Sequence, residues 1–116
     1  MKLEATIETE IDLRGSLELA RGGQLASPAQ VGLVVRTLEA LFTDAQAEIR
    51  KSKRYTLLQE LANVDSAKKL TWFQATLLIE WAIVGDGDYS PRPEAVKQAA
   101  RIVAEHDVAR GQMALL

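Results

Sequence analysis

The sequence predicts a mainly α fold of the α+β class, in which an N-terminal amphipathic strand or hairpin packs on a three- to four-helix bundle. Three observations lead to this prediction. The start of the chain alternates between apolar and polar residues, later segments repeat apolar residues at intervals of three and four, and one central stretch is apolar all round. A chain of 116 residues predicts a single domain, 1–116, that can bury a core without disulfides.

Residues 2–14 alternate between polar and apolar side chains with a period of two, which is typical of a half-buried strand. The expected buried face carries Leu3, Ala5, Ile7, Thr9, Ile11 and Leu13. The pattern continues to Leu19, which fits a hairpin within residues 1–21 that turns near Gly15, one long strand, or a strand followed by a single helical turn at residues 16–21. Because no later stretch alternates in this way, the strand edge is expected to pair with a second copy, or to close as a hairpin in a monomer.

The first predicted helix begins at Ser27 and Pro28, since serine is a preferred N-cap and proline is favoured at the first helical position. Apolar residues then repeat at intervals of three and four, which predicts an amphipathic helix over 28–50. Ser52 falls where the apolar stripe would continue, so we expect a break in the basic run near residues 51–53. A short helix over 56–63 follows. The alternative is one continuous helix that carries the basic run on its exposed face.

The most apolar stretch, residues 70–84, holds both tryptophans and predicts a helix over 67–84, with Gly85 as its stop. Its apolar residues surround the helix, as in a core helix or a membrane helix. The apolar stretch 70–84 rises only about 22 Å, against a bilayer core of about 30 Å, so a core helix is the better interpretation. Trp72 and Trp81 lie half a turn out of phase, which places one of them away from a small core or at an interface.

A loop is expected over residues 85–93 because this stretch is rich in glycine, aspartate and proline. The last helix is predicted over 93–110, with Gly111 as its stop. The loop spaces three oxygen-bearing side chains as in a calcium loop, but Pro91 and Lys97 stand where such a loop requires glycine and glutamate, so an EF-hand is rejected.

Few sequence features indicate catalysis or a cofactor. The single histidine, His106, lies between two acidic residues that point in different directions on a helix, and no phosphate-binding glycine loop or nucleophile elbow occurs. We therefore expect a protein that is not an enzyme and has no cofactor, no metal site and no catalytic residues. The absence of cysteine and of a secretory signal indicates a cytoplasmic protein without membrane association.

The formal net charge is -2, but the charge is unevenly distributed: residues 1–19 sum to -3 and residues 50–70 to +4. We expect a non-enzymatic protein-protein interaction or assembly module that self-associates through its N-terminal strand or binds a partner protein. The predicted interface residues are Ile7, Thr9, Ile11, Trp72 and Trp81. The alternative is a small helical nucleic-acid-associated subunit, in which a basic cluster holds phosphates and an aromatic ring stacks on a base. The basic cluster and its aromatic neighbour are Arg50, Lys51, Lys53, Arg54 and Tyr55.

Overall fold

A computed structural model describes residues 10–115, with side chains for residues 12–111. This part of the chain is mainly helical with a small antiparallel sheet, which confirms the α+β prediction. The elements in chain order are α1 (Glu10–Leu19), α2 (Pro28–Glu39), α3 (Ala47–Ala62), a 3-10 helix (Ala67–Lys69), α4 (Trp72–Ala82), β1 (Ile83–Gly85), β2 (Asp88–Pro91) and α5 (Pro93–Leu115).

The predicted N-terminal strand is wrong where the structure describes the chain, because Ile11 and the residues around it are in α1. Leu13 and Leu17, both fully buried, are four residues apart and therefore also lie on one face of a helix. Gly15 is tolerated within α1 although glycine weakens a helix by about 1 kcal/mol relative to alanine. Ile7 and Thr9, predicted to be on the same strand, lie outside the described residues.

The helix predicted over 28–50 is two helices, and the break lies at residues 40–46 rather than at 51–53. The basic residues support this break from inside α3. Arg50 Nη1 donates to the backbone oxygens of Asp44 and Ala45 at 2.6 and 3.0 Å, and Lys53 Nζ lies 2.8 Å from Asp44 Oδ2. The basic run thus stabilises the preceding loop and does not interrupt α3.

The helix predicted over 67–84 is shorter, and it is followed by a hairpin that the sequence analysis missed. α4 ends at Ala82, and β1 then pairs with β2, with Ile83 opposite Pro91 and Gly85 opposite Asp88. The turn uses left-handed backbone at Gly85, Asp86 and Gly87, with φ angles of 94°, 54° and 85°. The final helix is also longer than predicted, since α5 continues past Gly111 to Leu115. A single glycine weakens a helix but does not have to end it.

α4 lies at the centre of the fold and contacts α1, α2 and α5. Its position is fixed by a junction at its first turn, formed by Thr71 and Gln74. The Thr71 hydroxyl donates to the backbone oxygen of Ala20, and Gln74 Nε2 donates to that of Leu17 at 3.0 Å. Thr71 and Gln74 also form a capping box, so the residues that begin α4 also hold α1.

The same junction joins the segment before α2 to the segment before α4. Trp72 N donates to Gln24 O at 2.8 Å, and Ala26 N donates to Leu70 O at 3.0 Å, on either side of an antiparallel bridge between Leu25 and Thr71. α2 then starts at its own capping box, in which Ser27 is the N-cap that the sequence predicts. Three helices are therefore tied together at one end of the bundle.

Replacing Gln74 with alanine is expected to lower the free energy of unfolding by about 1–3 kcal/mol, because the buried Leu17 carbonyl loses its side-chain donor. Gln59→Ala is the control: it also removes a helical glutamine, but one at an exposed site, where its Nε2 donates to Asn63 Oδ1 at the end of the same helix. Urea unfolding followed by circular dichroism measures both. A loss at Gln74 no larger than the loss at Gln59 would contradict the role given to the junction.

Candidate interaction surface

The first turn of α4 presents two aromatic side chains to solvent. Trp72 is 43% exposed and Phe73 60% exposed. Their ring centroids lie 5.0 Å apart at an interplanar angle of 84°, an edge-to-face arrangement. Leu25, bridged to Thr71 through the backbone, is 59% exposed. We call Leu25, Trp72 and Phe73 the aromatic face.

Single exposed apolar residues are common on soluble proteins, but adjacent large ones mark sites of interaction. The two aromatic residues lie in a capped helical turn, since Thr71 and Gln74 cap α4 and the two rings stand between them in the sequence. Its backbone is therefore fixed by hydrogen bonds to α1 and to the segment before α2. The two rings can therefore contact a partner with little further loss of backbone conformational entropy.

The two tryptophans have different environments. Trp81 is 1% exposed and packs in the core, and its Nε1 donates to Gln98 Oε1 on α5 at 2.7 Å. Trp81 is thus a core residue and is unavailable as an interface residue, because α5 covers it. Of the predicted interface residues with a described side chain, Trp72 alone is on the surface.

The predicted nucleic-acid-binding cluster is largely engaged with the protein itself. Arg50 and Lys53 bind the α2–α3 loop, as described above, and Arg54 forms an ion pair with Glu39 on α2. Arg54 is only 9% exposed, which leaves little of it for a phosphate. Lys51 and Tyr55 are exposed, but the Tyr55 ring lies 4.7 Å from the Arg54 guanidinium carbon. The cluster therefore presents less available positive charge than its composition suggests.

A shallow groove of about 360 Å³ lies between the α2–α3 loop and α5. Its lining is mostly apolar, with Phe42 and Val103 among the residues, and it has charged groups at Asp44, Lys53 and Asp107. The first two of these are paired with each other, and the Lys53 ammonium also lies 5.4 Å from the centre of the Phe42 ring. The groove does not bring together the nucleophile, base and oxyanion donors that a hydrolytic site requires.

One polar contact that the sequence analysis missed joins α3 to α5. His106 Nδ1 lies 2.7 Å from Glu60 Oε1, and the backbone oxygen of Glu60 accepts from Arg14 on α1. His106 and Glu60 are 46 residues apart, so only the packed fold shows that they meet. These contacts link α1, α3 and α5, and they give His106 a structural role in the packing of the helices.

Among the described side chains, those of residues 12–111, no three of His, Cys, Asp or Glu are grouped so that they could hold a metal ion. Nor does any helix in this part of the chain have the length and apolarity needed to cross a membrane. No protein-family model matches the chain, and neither the curated proteins nor the solved structures contain a match.

The ion pair between Asp44 and Lys53 leads to an expected dependence of stability on pH. The hydrogen bond from Lys53 lowers the pKa of Asp44 below 3.8, and the charges of Lys53 and Arg50 act in the same direction. A lowered folded-state pKa means that this contribution to stability is present above about pH 4 and is lost as the pH falls through the folded-state pKa.

The difference in stability between the wild type and Asp44→Asn is therefore expected to be largest near neutral pH and to shrink below about pH 4. Urea midpoints measured from pH 7 to pH 2.5 test this. Asp86→Asn, at an exposed turn residue, is the control. A difference that stays constant with pH, or grows in acid, would contradict the assignment.

Proposed function

We propose that this protein is a non-enzymatic assembly module that self-associates through the aromatic face. The observation that carries the proposal is the exposure of Trp72 and Phe73 side by side on a fixed helical turn, while the other tryptophan is buried. Tryptophan and phenylalanine are enriched at the centres of protein interfaces, where each buries a large area with few rotatable bonds.

The alternative function, nucleic-acid binding through residues 50–55, remains a hypothesis with weaker support. Neutralising phosphates requires cations that are not already compensated, and the structure pairs Lys53 and Arg54 with carboxylates. Catalysis has no supporting constellation among the described residues. Assembly with another protein chain is the function that the exposed chemistry supports best.

The molar mass of the wild type, measured by light scattering over a concentration series, is expected to rise from that of a monomer toward that of a discrete oligomer. The double variant Trp72→Ala, Phe73→Ser should remain a monomer over the same range, because it removes most of the apolar area of the aromatic face. Circular dichroism and urea unfolding confirm that the variant is folded.

The matched control is Tyr89→Ala, Val108→Ser, which removes an aromatic and an aliphatic side chain that are 64% and 60% exposed at other places on the surface. It should associate like the wild type. A wild type that is monomeric at every concentration would overturn the proposal, as would association that the control variant loses and the Trp72, Phe73 variant keeps.

A further inference from the structure

The chemistry around the aromatic face indicates what binds it. We propose that the face of each molecule receives residues 2–9 of a second copy, so that two chains exchange these segments in a dimer. This inference rests on the proposed function, since it names the occupant of the same surface. It is carried by the charge around the face, by the composition of the segment and by the place where the segment leaves α1.

The chain segments that lead into the aromatic face carry only positive charge. Residues 19–27 and 66–73 contain no aspartate or glutamate, and their cations are Arg21, Lys68 and Lys69. Arg21 and Lys69 form ion pairs with Glu18 and Asp65, at 2.9 and 2.8 Å. Both pairs are more than half exposed, so each is worth about 0–1 kcal/mol and can be exchanged for another partner.

Residues 2–9 have the complementary composition. They place apolar side chains at Leu3, Ala5 and Ile7, and carboxylates at Glu4 and Glu8. Leu3 and Ile7 share a side whether the segment is extended or helical, because a spacing of four residues brings side chains to one face in both cases. The segment can therefore offer apolar side chains to the aromatic rings and carboxylates to the surrounding cations.

The geometry of α1 assigns the segment to a second copy and not to its own chain. Gln74 bonds to Leu17, and Thr71 bonds to Ala20, so α1 runs antiparallel to α4. The ten residues of α1 rise about 15 Å, and Glu10 consequently lies at the end of the bundle away from the aromatic face.

To reach the aromatic face of its own chain, the segment before Glu10 would first have to run back along the length of α1, about 15 Å. In an extended conformation this distance takes four to five residues at about 3.3 Å each. Ile7 would then lie in the crossing, and Leu3 and Ile7 could not both contact the rings. A helical continuation of α1 would lead still farther away. In a second copy the distance from Glu10 to the face is not fixed by the fold of one chain, and a dimer that brings Glu10 of one molecule beside the face of the other leaves the whole of residues 2–9 available to bind it.

A reciprocal exchange closes the assembly as a two-fold dimer in which each contact is made twice. The apolar part of the contact persists in salt, whereas the part due to Glu4 and Glu8 is screened. The dimer should therefore weaken, without being abolished, when the ionic strength is raised.

Charge reversal in the full-length chain tests the exchange. The variant Glu4→Lys, Glu8→Lys should raise the dimer dissociation constant roughly tenfold or more at low salt, since exposed charge pairs contribute about 0.2–1 kcal/mol each and occur twice per dimer. Lys68→Glu, Lys69→Glu should weaken the dimer similarly. Combining all four changes should restore much of the affinity.

The matched control is Glu94→Lys, Glu105→Lys, which makes the same change in charge on exposed residues of α5. It should leave the dissociation constant within a few-fold of the wild type after the change in net charge is screened by moderate salt. Ile7→Ser should also weaken the dimer, and this effect should persist at high salt.

The outcomes separate this inference from the proposed function. If the Trp72, Phe73 variant is monomeric, but Ile7→Ser and Glu4→Lys, Glu8→Lys dimerise like the wild type, the inference is overturned while assembly through the aromatic face stands. If the wild type is monomeric throughout, both are overturned. Loss of the dimer in both sets, with recovery in the four-fold charge exchange, supports both.

Discussion

The capping of α4 by Thr71 and Gln74 is the interaction on which the rest of the structure depends. These two residues begin the central helix, and their side chains also bind the backbone oxygens of Ala20 and Leu17. Backbone hydrogen bonds beside them hold the segment before α2. Three helices are thus held by one polar junction beside an apolar core, and the side chains of Thr71 and Gln74 both have hydrogen-bond partners, as their burial requires. The same capping box leaves Trp72 and Phe73, its two intervening residues, facing solvent.

Much of the helical content could be predicted because periodicity and caps are local properties. Ser27 is the N-cap of α2, as its sequence context predicts. The errors arose where two patterns coincide. Leu13 and Leu17 fit both a period of two and a helical spacing of four. In the folded protein both are buried on one face of a helix, so tertiary packing favours the helical conformation. The hairpin had a recognisable Asp86-Gly87 turn beside β-branched residues, but the surrounding glycine and proline favoured a loop interpretation.

The surface was predictable to a lesser extent. The nine-residue separation of the tryptophans indicates that they point in opposite directions, and the structure shows which one is exposed. The basic cluster could not be evaluated from sequence, because its partners Glu39 and Asp44 precede it in another helix and a loop. The pairing of His106 with Glu60 likewise depends on how α3 packs against α5. Charge that is counted along a sequence says little about charge available to a ligand until such contacts are known.

The central claim, that the aromatic face is covered in an assembly, is tested most directly by quenching tryptophan fluorescence with acrylamide, a neutral quencher that does not screen charge. In dilute protein, one of the two tryptophans should be accessible, since Trp72 is exposed and Trp81 is buried. As the protein concentration rises through the assembly range, the accessible fraction should fall because Trp72 becomes covered. An accessible fraction that stays constant while the molar mass rises would show that the chains assemble through another surface, and would contradict the account.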